Sequence, residues 1–400
     1  MATPAQRTNT WILDEWYAQA VAGTTGGYDS NVLSLYSWGY NNSGQLGVNN
    51  KTKYSSPVQV GTNTNWSKIG AATEGSGMAI KNDATLWTWG KSSYGVLGHN
   101  NTTQYSSPKQ LPGTTWNEVA GQQQGMTAIK TDGTLWTWGQ NSNGQLGQNE
   151  GSLFYTHLSS PTQVGSDTTW DKPVVSYAKS GGSIKTDGTL WIWGDNDGGR
   201  LGHNNETDYS SPVQVGTNTT WNQVYMGNSG QTVATKTDGT LWSWGDGGAG
   251  ALGLNQPSNT KISSPTQIPG TTWATGTRSL NSSDEFAAAL KTDGTLWMWG
   301  LNEHGQLGQN EGPGGNPGSY SSPTQIPGTI WRSVFCGRKS SFATKTDGTM
   351  WSWGYGNRGS TGLLGQNNAI SYSSPVQIPG TTWSTNLGGS QFTALGMKII

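Results

Sequence analysis

An all-β ring of seven four-stranded blades is the fold this sequence predicts. Three observations lead there. Four short landmarks recur in fixed order, seven times each. Their period of 49 to 55 residues belongs to solenoids and propellers. The two chain ends match complementary parts of one repeat, as a closed ring requires.

The landmarks can be read one at a time. Trp-Gly comes first, at Trp38-Gly39, and last at Trp353-Gly354. Leu-Gly follows eight residues later in six copies and eleven later in the seventh, at Gly365. Ser-Ser-Pro runs from Pro57 to Pro375. A lone tryptophan closes each unit: Trp66, Trp116, Trp170, Trp221, Trp273, Trp331 and Trp383. Only Trp11 and Trp16, of 22 tryptophans, fall outside this register. Tryptophan is therefore an element of the unit's core.

Within a unit, "AIKTDGTLWTWG" places two β-rich runs on either side of Asp132-Gly133. Asp-Gly between such runs is a strong hairpin signal, because a type I′ turn needs positive φ at both central residues. Trp136 and Trp138 share one face of the second run, with Leu135 and Thr137 on the other. "SSPTQV" reads as a further short strand with Pro161 at its edge or start, and "TTWNEV" leads into a fourth. No unit shows helical periodicity. The hairpin signal appears six times, with Asp83-Ala84 as a variant, and the seventh is missing. "FTAL" near the C-terminus matches the strand before the turn, and "LYSWG" near the N-terminus matches the strand after it. One blade is expected to be shared between the two ends.

Composition narrows the function. The formal net charge is -1 and no run of Lys or Arg stands out, which argues against nucleic acid and acidic membranes as partners. No apolar run approaches a membrane span. Cys336 is the only cysteine, so an intrachain disulfide is excluded. The first residues lack a basic start followed by an apolar segment, so no secretion signal is expected. A virion or cytoplasmic location follows as the expectation.

The repeat resembles the regulator of chromosome condensation family, whose units carry a Trp-Gly strand and then Asn-x-x-Gly-Gln-Leu-Gly. Here that stands as "WGYNNSGQLG" (38–47), "WGQNSNGQLG" (138–147) and "WGLNEHGQLG" (299–308). The resemblance covers roughly residues 31–400 and implies a seven-bladed propeller. Known family roles include nucleotide exchange on a small GTPase with chromatin binding, and ultraviolet-B sensing in plants. This chain has no basic N-terminal tail and no Gly-Trp-Arg-His-Thr motif.

Several candidate chemistries reduce to architecture. "GYGNRG" (354–359) matches a dinucleotide fingerprint, but no helix pattern follows it. "DNDGG" (195–199) resembles the start of a calcium loop without the later ligands. The Lys-Thr-Asp-Gly turns set one Lys and one Asp per blade at equivalent positions, which turn chemistry explains for Asp and Gly. His99, His157, His203 and His304 lie in different repeats, without metal or triad spacing. Cys336 sits in a strand-like run and reads as buried. No enzyme signature, metal site or cofactor is expected.

Specific function is expected where the units differ. The third unit carries added material with Phe154 and Tyr155, and the sixth carries "EGPGGNPGSY" with Tyr320. Residues 1–30 form the other departure, ahead of a propeller at 31–400. Trp11, Ile12, Leu13, Trp16 and Tyr17 fall on one helical face, capped by Thr10 and Gly23. This arm either packs on its own ring or anchors it to a larger assembly. The expectation is a non-enzymatic structural or interaction propeller with a protein partner, one setting being a bacteriophage virion surface. A glycan-binding propeller and a nucleotide-exchange regulator are the alternatives.

Overall fold

The computed structural model describes residues 32–70, 75–150, 157–311, 318–357, 362–390 and 392–400. They form seven antiparallel sheets arranged as a ring, each built of four strands from the repeat and one joined by a fifth. Numbering the blades from the first complete one, blade 1 spans 66–110, blade 2 116–163, blade 3 170–214, blade 4 221–268, blade 5 273–325 and blade 6 331–378. Blade 7 combines both chain ends.

Blade 2 shows the plan. Its inner strand Trp116–Gln122 begins at the lone tryptophan. The second strand Gly125–Lys130 is almost wholly buried, and the turn at Asp132-Gly133 leads into the third, Leu135–Gly139. The outer strand Leu158–Gln163 carries the proline. An outer strand has a free edge, and a proline there blocks pairing with another chain. The Asp-Gly turns define one face of the ring, here called the turn face. The loops from third to outer strand lie on the opposite, loop face.

Closure follows the expectation from the chain ends. Trp383–Ser390 and Thr393–Ile399 supply the first two strands of blade 7, and Leu33–Gly39 and Tyr54–Gln59 supply the last two. The register runs unbroken from Leu33 opposite Ile399 to Gly39 opposite Thr393. Blade 7 has no Asp-Gly turn because its second and third strands, Thr393–Ile399 and Leu33–Gly39, are not consecutive in the sequence.

Each landmark makes a bond to a neighbouring blade. The second tryptophan of every Trp-x-Trp pair is buried, as is its counterpart Trp38. Its indole N–H donates to the carbonyl just before Leu-Gly in the preceding blade. Trp138 donates to Val96 at 2.8 Å, Trp193 to Gln145 at 2.9 Å, Trp244 to Arg200 at 2.9 Å and Trp353 to Gln306 at 2.9 Å. Trp89, Trp299 and Trp38 repeat the bond to Gln45, Ala251 and Leu363. The Leu-Gly glycine is what lets the ring come so close. Gly98 has φ +78°, and a Cβ there would stand 2.9 Å from Trp138 Nε1.

The lone tryptophan's backbone N–H donates to the hairpin turn of the preceding blade, as from Trp170 to Gly133 at 3.1 Å. An asparagine two residues after Leu-Gly takes a left-handed φ and donates to the first serine of the next Ser-Ser-Pro. Asn49 bonds Ser106 O at 2.7 Å, and Asn367 bonds Ser55 O at 2.9 Å across the closure.

Aromatic burial explains how a chain with 32% hydrophobic residues holds a core. An indole buries about 150–250 Å², worth about 4–6 kcal/mol at ~25 cal/mol per Å². Replacing Trp138 by Phe keeps most of that burial but leaves Val96 O unpaired. Chemical denaturation should report a loss of about 1–3 kcal/mol. Deleting residues 391–400 removes the strand between Leu33–Gly39 and Trp383–Ser390. Calorimetry should show a melting temperature lower by on the order of 10 °C or more, or loss of a cooperative transition.

Candidate functional site

The most repeated residues are engaged with one another. In blade 2, Trp116 packs against Trp136 and Trp138, each with ring centroids 6.2 Å away. The ammonium of Lys130 lies 3.8 Å from the Trp136 centroid and 5.0 Å from that of Trp116. Asp132 Oδ1 accepts from Thr134 N at 3.0 Å and Thr134 Oγ1 at 2.6 Å. Trp136 Nε1 in turn donates to Thr134 Oγ1 at 2.8 Å. Blades 1, 3, 4, 5 and 6 repeat the lysine clamp with Lys81, Lys185, Lys236, Lys291 and Lys345. Blade 7 substitutes Lys398 between Trp383 and Tyr36. Cation–π contacts of this kind are worth about 0.5–2 kcal/mol each. The lysine ring is thus an internal clamp rather than an open axial ligand site. The second tryptophan of each pair offers no open stacking platform to a sugar either, because it is buried.

Besides the longer loop of blade 2, several charged departures from the repeat lie in blades 3 to 6. On the loop face, Arg200 stands where other repeats place Gln, Val, Ala or Leu. Its Nη1 lies 2.9 Å from Asp195 Oδ2 and its Nε donates to Asp197 O at 2.9 Å. Lys261 approaches Asp197 at 3.5 Å. A guanidinium thus occupies the space between the carboxylates of the calcium-like "DNDGG" stretch, which folds as a short turn with a 3-10 segment at Asp197–Gly199. Arg338 pairs with Asp284 at 2.7 Å. Burial, then the like charges of Asp284, Glu303 and Asp246, push the Glu285 carboxyl above its usual range. Exposed Asp197 and Glu303 extend this charged surface.

Two further departures reach the axis. In blade 3 the inner strand Trp170–Pro173 stops at proline, and Val175–Ser176 leaves its sheet to pair in parallel with Trp221–Met226 of blade 4. In blade 5 the inner strand carries an extra bulge at 274–279. Its signal was present in the repeat spacing. Lone Trp to turn Lys is 14 or 15 residues in the other blades, and 18 from Trp273 to Lys291. Tyr177, Tyr225, Phe335 and Leu387 are buried in one cluster, Tyr177 just after Val175–Ser176 and the others on three inner strands.

The candidate residues fare differently. Trp11, Ile12, Leu13, Trp16, Tyr17, Phe154 and Tyr155 lie outside the described residues, as does part of "GYGNRG". Tyr320 is half-buried in the strand Ser319–Gln325, and its hydroxyl donates to Glu311 Oε1 at 2.5 Å. Burial and that carboxylate push its pKa up to about 12. Cys336 is buried, and burial raises its thiol pKa. His99 and His203 each pack edge-on against a tyrosine of their own blade. Burial, with Lys109 nearby, lowers His99 to about 4. His304 contacts Lys339 Nζ at 2.9 Å. Among the described residues no group of three His, Cys, Asp or Glu is placed to hold a metal ion. No described helix is long and apolar enough to cross a membrane.

A ring whose repeated side chains fasten blade to blade, and whose variable ones sit on its faces and axis, is a repeat propeller of the seven-bladed class. The model of the regulator of chromosome condensation (RCC1) repeat matches residues 34–77, 83–121, 132–184, 187–232, 238–275 and 293–344. A second RCC1 repeat model matches 278–306. The chain belongs to the RCC1 repeat family. It is 28% identical over 232 residues to the mitochondrial RCC1 domain-containing protein RUG3 of Arabidopsis thaliana, covering 55% of this chain and 49% of that protein. It is also 28% identical over 345 residues to the human E3 ubiquitin-protein ligase HERC2, covering 84% of this chain. The match thus spans about half the length of the first relative and 6% of the second. Human WBSCR16 shares the fold with a TM-score of 0.77 at 18% identity, over 92% of this chain and 98% of that one. Prp20p of Saccharomyces cerevisiae does so with 0.74 at 17% identity, over 92% of each.

The turn aspartates give a pH prediction. The hydroxyl of the following threonine holds Asp83, Asp132, Asp187, Asp238 and Asp293 below the usual carboxylate range. A carboxyl with a folded pKa below its unfolded value of about 3.9 stabilises above that value and loses the contribution as pH falls through the folded pKa. The melting temperature should therefore drop below about pH 4. Asn at all five positions keeps an acceptor without titrating, and should flatten that part of the profile.

Proposed function

We propose that this chain is a non-enzymatic interaction module that presents the charged loop face of blades 3 to 6 to a protein partner. One observation carries the reading. The repeated Trp, Lys, Asp, Thr and Asn residues are committed to bonds within and between blades, while the loop-face charges of blades 3 to 6 break the repeat. Exposed groups that follow no structural period are available to recognise a partner. Ion pairs such as Arg338 with Asp284 preorganise part of that surface.

Relatives support a protein partner in kind. Prp20p, which shares the fold, binds Gsp1p and histones, and yeast RCC1 (Prp20) is also known bound to Kap60. The finer form of the proposal places the ring on a bacteriophage particle, held by its first 30 residues. Near-identical, sparsely charged repeats suit a durable exposed surface. Mass spectrometry of purified particles tests that setting, and particles without the chain would refute it.

The double substitution Asp197→Arg with Glu303→Arg tests the surface. Both residues are exposed, so folding should be unchanged by circular dichroism. Quantitative affinity capture should lose the partner with this variant and keep it with Asn218→Arg, an exposed change on the turn face. Equal capture by all three proteins would refute the assignment.

A further inference from the structure

We propose that the turn-face mouth of the axis binds a carboxylate, with Arg278 as its reader and an acidic side chain of a protein or peptide as its occupant. This site lies on the opposite face from the charged loops of blades 3 to 6 and does not depend on them.

The site begins with the bulge in blade 5. In blade 2, three residues separate the position paired with Lys130, Trp116, from the one paired with Ala128, Val119. In blade 5 the equivalent step runs from Trp273, opposite Lys291, to Leu280, opposite Ala289. The four extra residues sit on an inner strand, so they crowd the axis. They are held on both sides. Asn222 Nδ2 of blade 4 donates to Thr275 O at 2.6 Å, and Gln223 Nε2 to Gly276 O at 2.7 Å. Val334 N of blade 6 donates to Arg278 O at 2.9 Å. Thr275, Gly276 and Thr277 stay exposed. Arg278 itself takes φ +65°, an unfavourable conformation for a residue with a long side chain. Such strain is kept where the surroundings enforce it, and it gathers at functional positions.

The Arg278 guanidinium reaches across the ring. Its Nη2 donates to Ile69 O of blade 1, three blades further round. Among the described residues that is its one hydrogen bond, and no carboxylate pairs with it. Other cations near the inner strands are occupied. Lys68 pairs with Glu118, Lys172 bonds Asn222 Oδ1 at 2.7 Å, and Arg332 bonds Trp383 O at 2.7 Å.

A guanidinium carries five N–H donors in a planar fork, and a carboxylate matches that fork with two parallel bonds. Arg278 uses one. It is half-buried, where a charged hydrogen bond is stronger than at an open surface. The fork of Arg278 suits a monoanion. A phosphate dianion would call on a second cation turned towards it, and the heads of Lys172 and Arg332 are turned to Asn222 Oδ1 and Trp383 O. The exposed threonines and glycine of the bulge leave room for a peptide side chain to enter.

Isothermal titration of the full chain tests this with three probes: the acetylated, amidated peptide Gly-Glu-Glu-Gly, its Gly-Gln-Gln-Gly twin, and inorganic phosphate. The glutamate peptide should bind saturably, about tenfold or more tighter than the glutamine twin. Arg278→Gln should weaken it by a similar factor, while Asp197→Arg, on the other face, should leave it unchanged. The guanidinium NMR signal of Arg278 should shift with the glutamate peptide in the unmutated protein, which decides the matter even where Arg278→Gln fails to fold. Equal affinity for the two peptides, no shift of that signal, or tighter binding of phosphate than of the glutamate peptide would overturn the proposal. Loss of peptide binding here with partner capture intact would leave the loop-face reading standing, and the converse also holds.

Discussion

Every blade boundary hangs on one indole N–H. The second tryptophan of a Trp-x-Trp pair, or Trp38 in blade 7, reaches into the preceding blade and donates to the carbonyl before Leu-Gly. Seven such bonds of 2.8 to 3.1 Å run round the ring and include the closure from Trp38 to Leu363. The constraint acts in both directions. The indole fixes where the loop stands, and the loop must then carry a glycine, since a side chain at Gly147 or Gly202 would collide with the ring. Because the partner belongs to a neighbouring unit, the repeat is stable as an array, not as a single blade.

The other landmarks follow from the same demand. A blade is a small sheet with two faces to cover and two edges to protect. Lone tryptophans tie inner strands to the turns behind them, and left-handed asparagines tie loops to the outer strands ahead. Lysine and threonine complete the corner around the indoles, and the exposed turn aspartate fixes the threonine from outside. This explains the low apolar content. A few large aromatic groups, with the indole N–H groups of the Trp-x-Trp pairs bonded and their quadrupoles met by lysine, replace the many aliphatic residues of an ordinary core. Function is left to positions that the array does not need.

Blade number, hairpin turns and shared closure were legible in the sequence because they are set by local spacing and counting. Asp132-Gly133 announces its turn, though only Gly133 takes a positive φ and the turn is therefore not the type I′ expected, and "FTAL" with "LYSWG" announces the joined blade. What the landmarks bond to was not legible. Trp138 and Val96 lie 42 residues apart, and no periodicity says which carbonyl an indole will meet. Arg200 and "DNDGG" illustrate the same limit, since the cation that fills the carboxylate loop differs from its counterparts only by substitution. The bulge at 274–279 was visible as a longer interval, but the route of Arg278 to the far side of the ring depends on the closed fold. Tyr320 stood out as an aromatic in a longer loop, whereas the structure gives its hydroxyl a partner in Glu311.

Seven indole N–H groups join neighbouring blades. Hydrogen exchange of the indole N–H signals in a 15N-tryptophan-labelled sample measures them directly. Trp38, Trp89, Trp138, Trp193, Trp244, Trp299 and Trp353 should form one group of slowly exchanging signals, released together on global unfolding. Rapid exchange of these seven under native conditions, at the rate of the partly exposed Trp87 or Trp136, would contradict it.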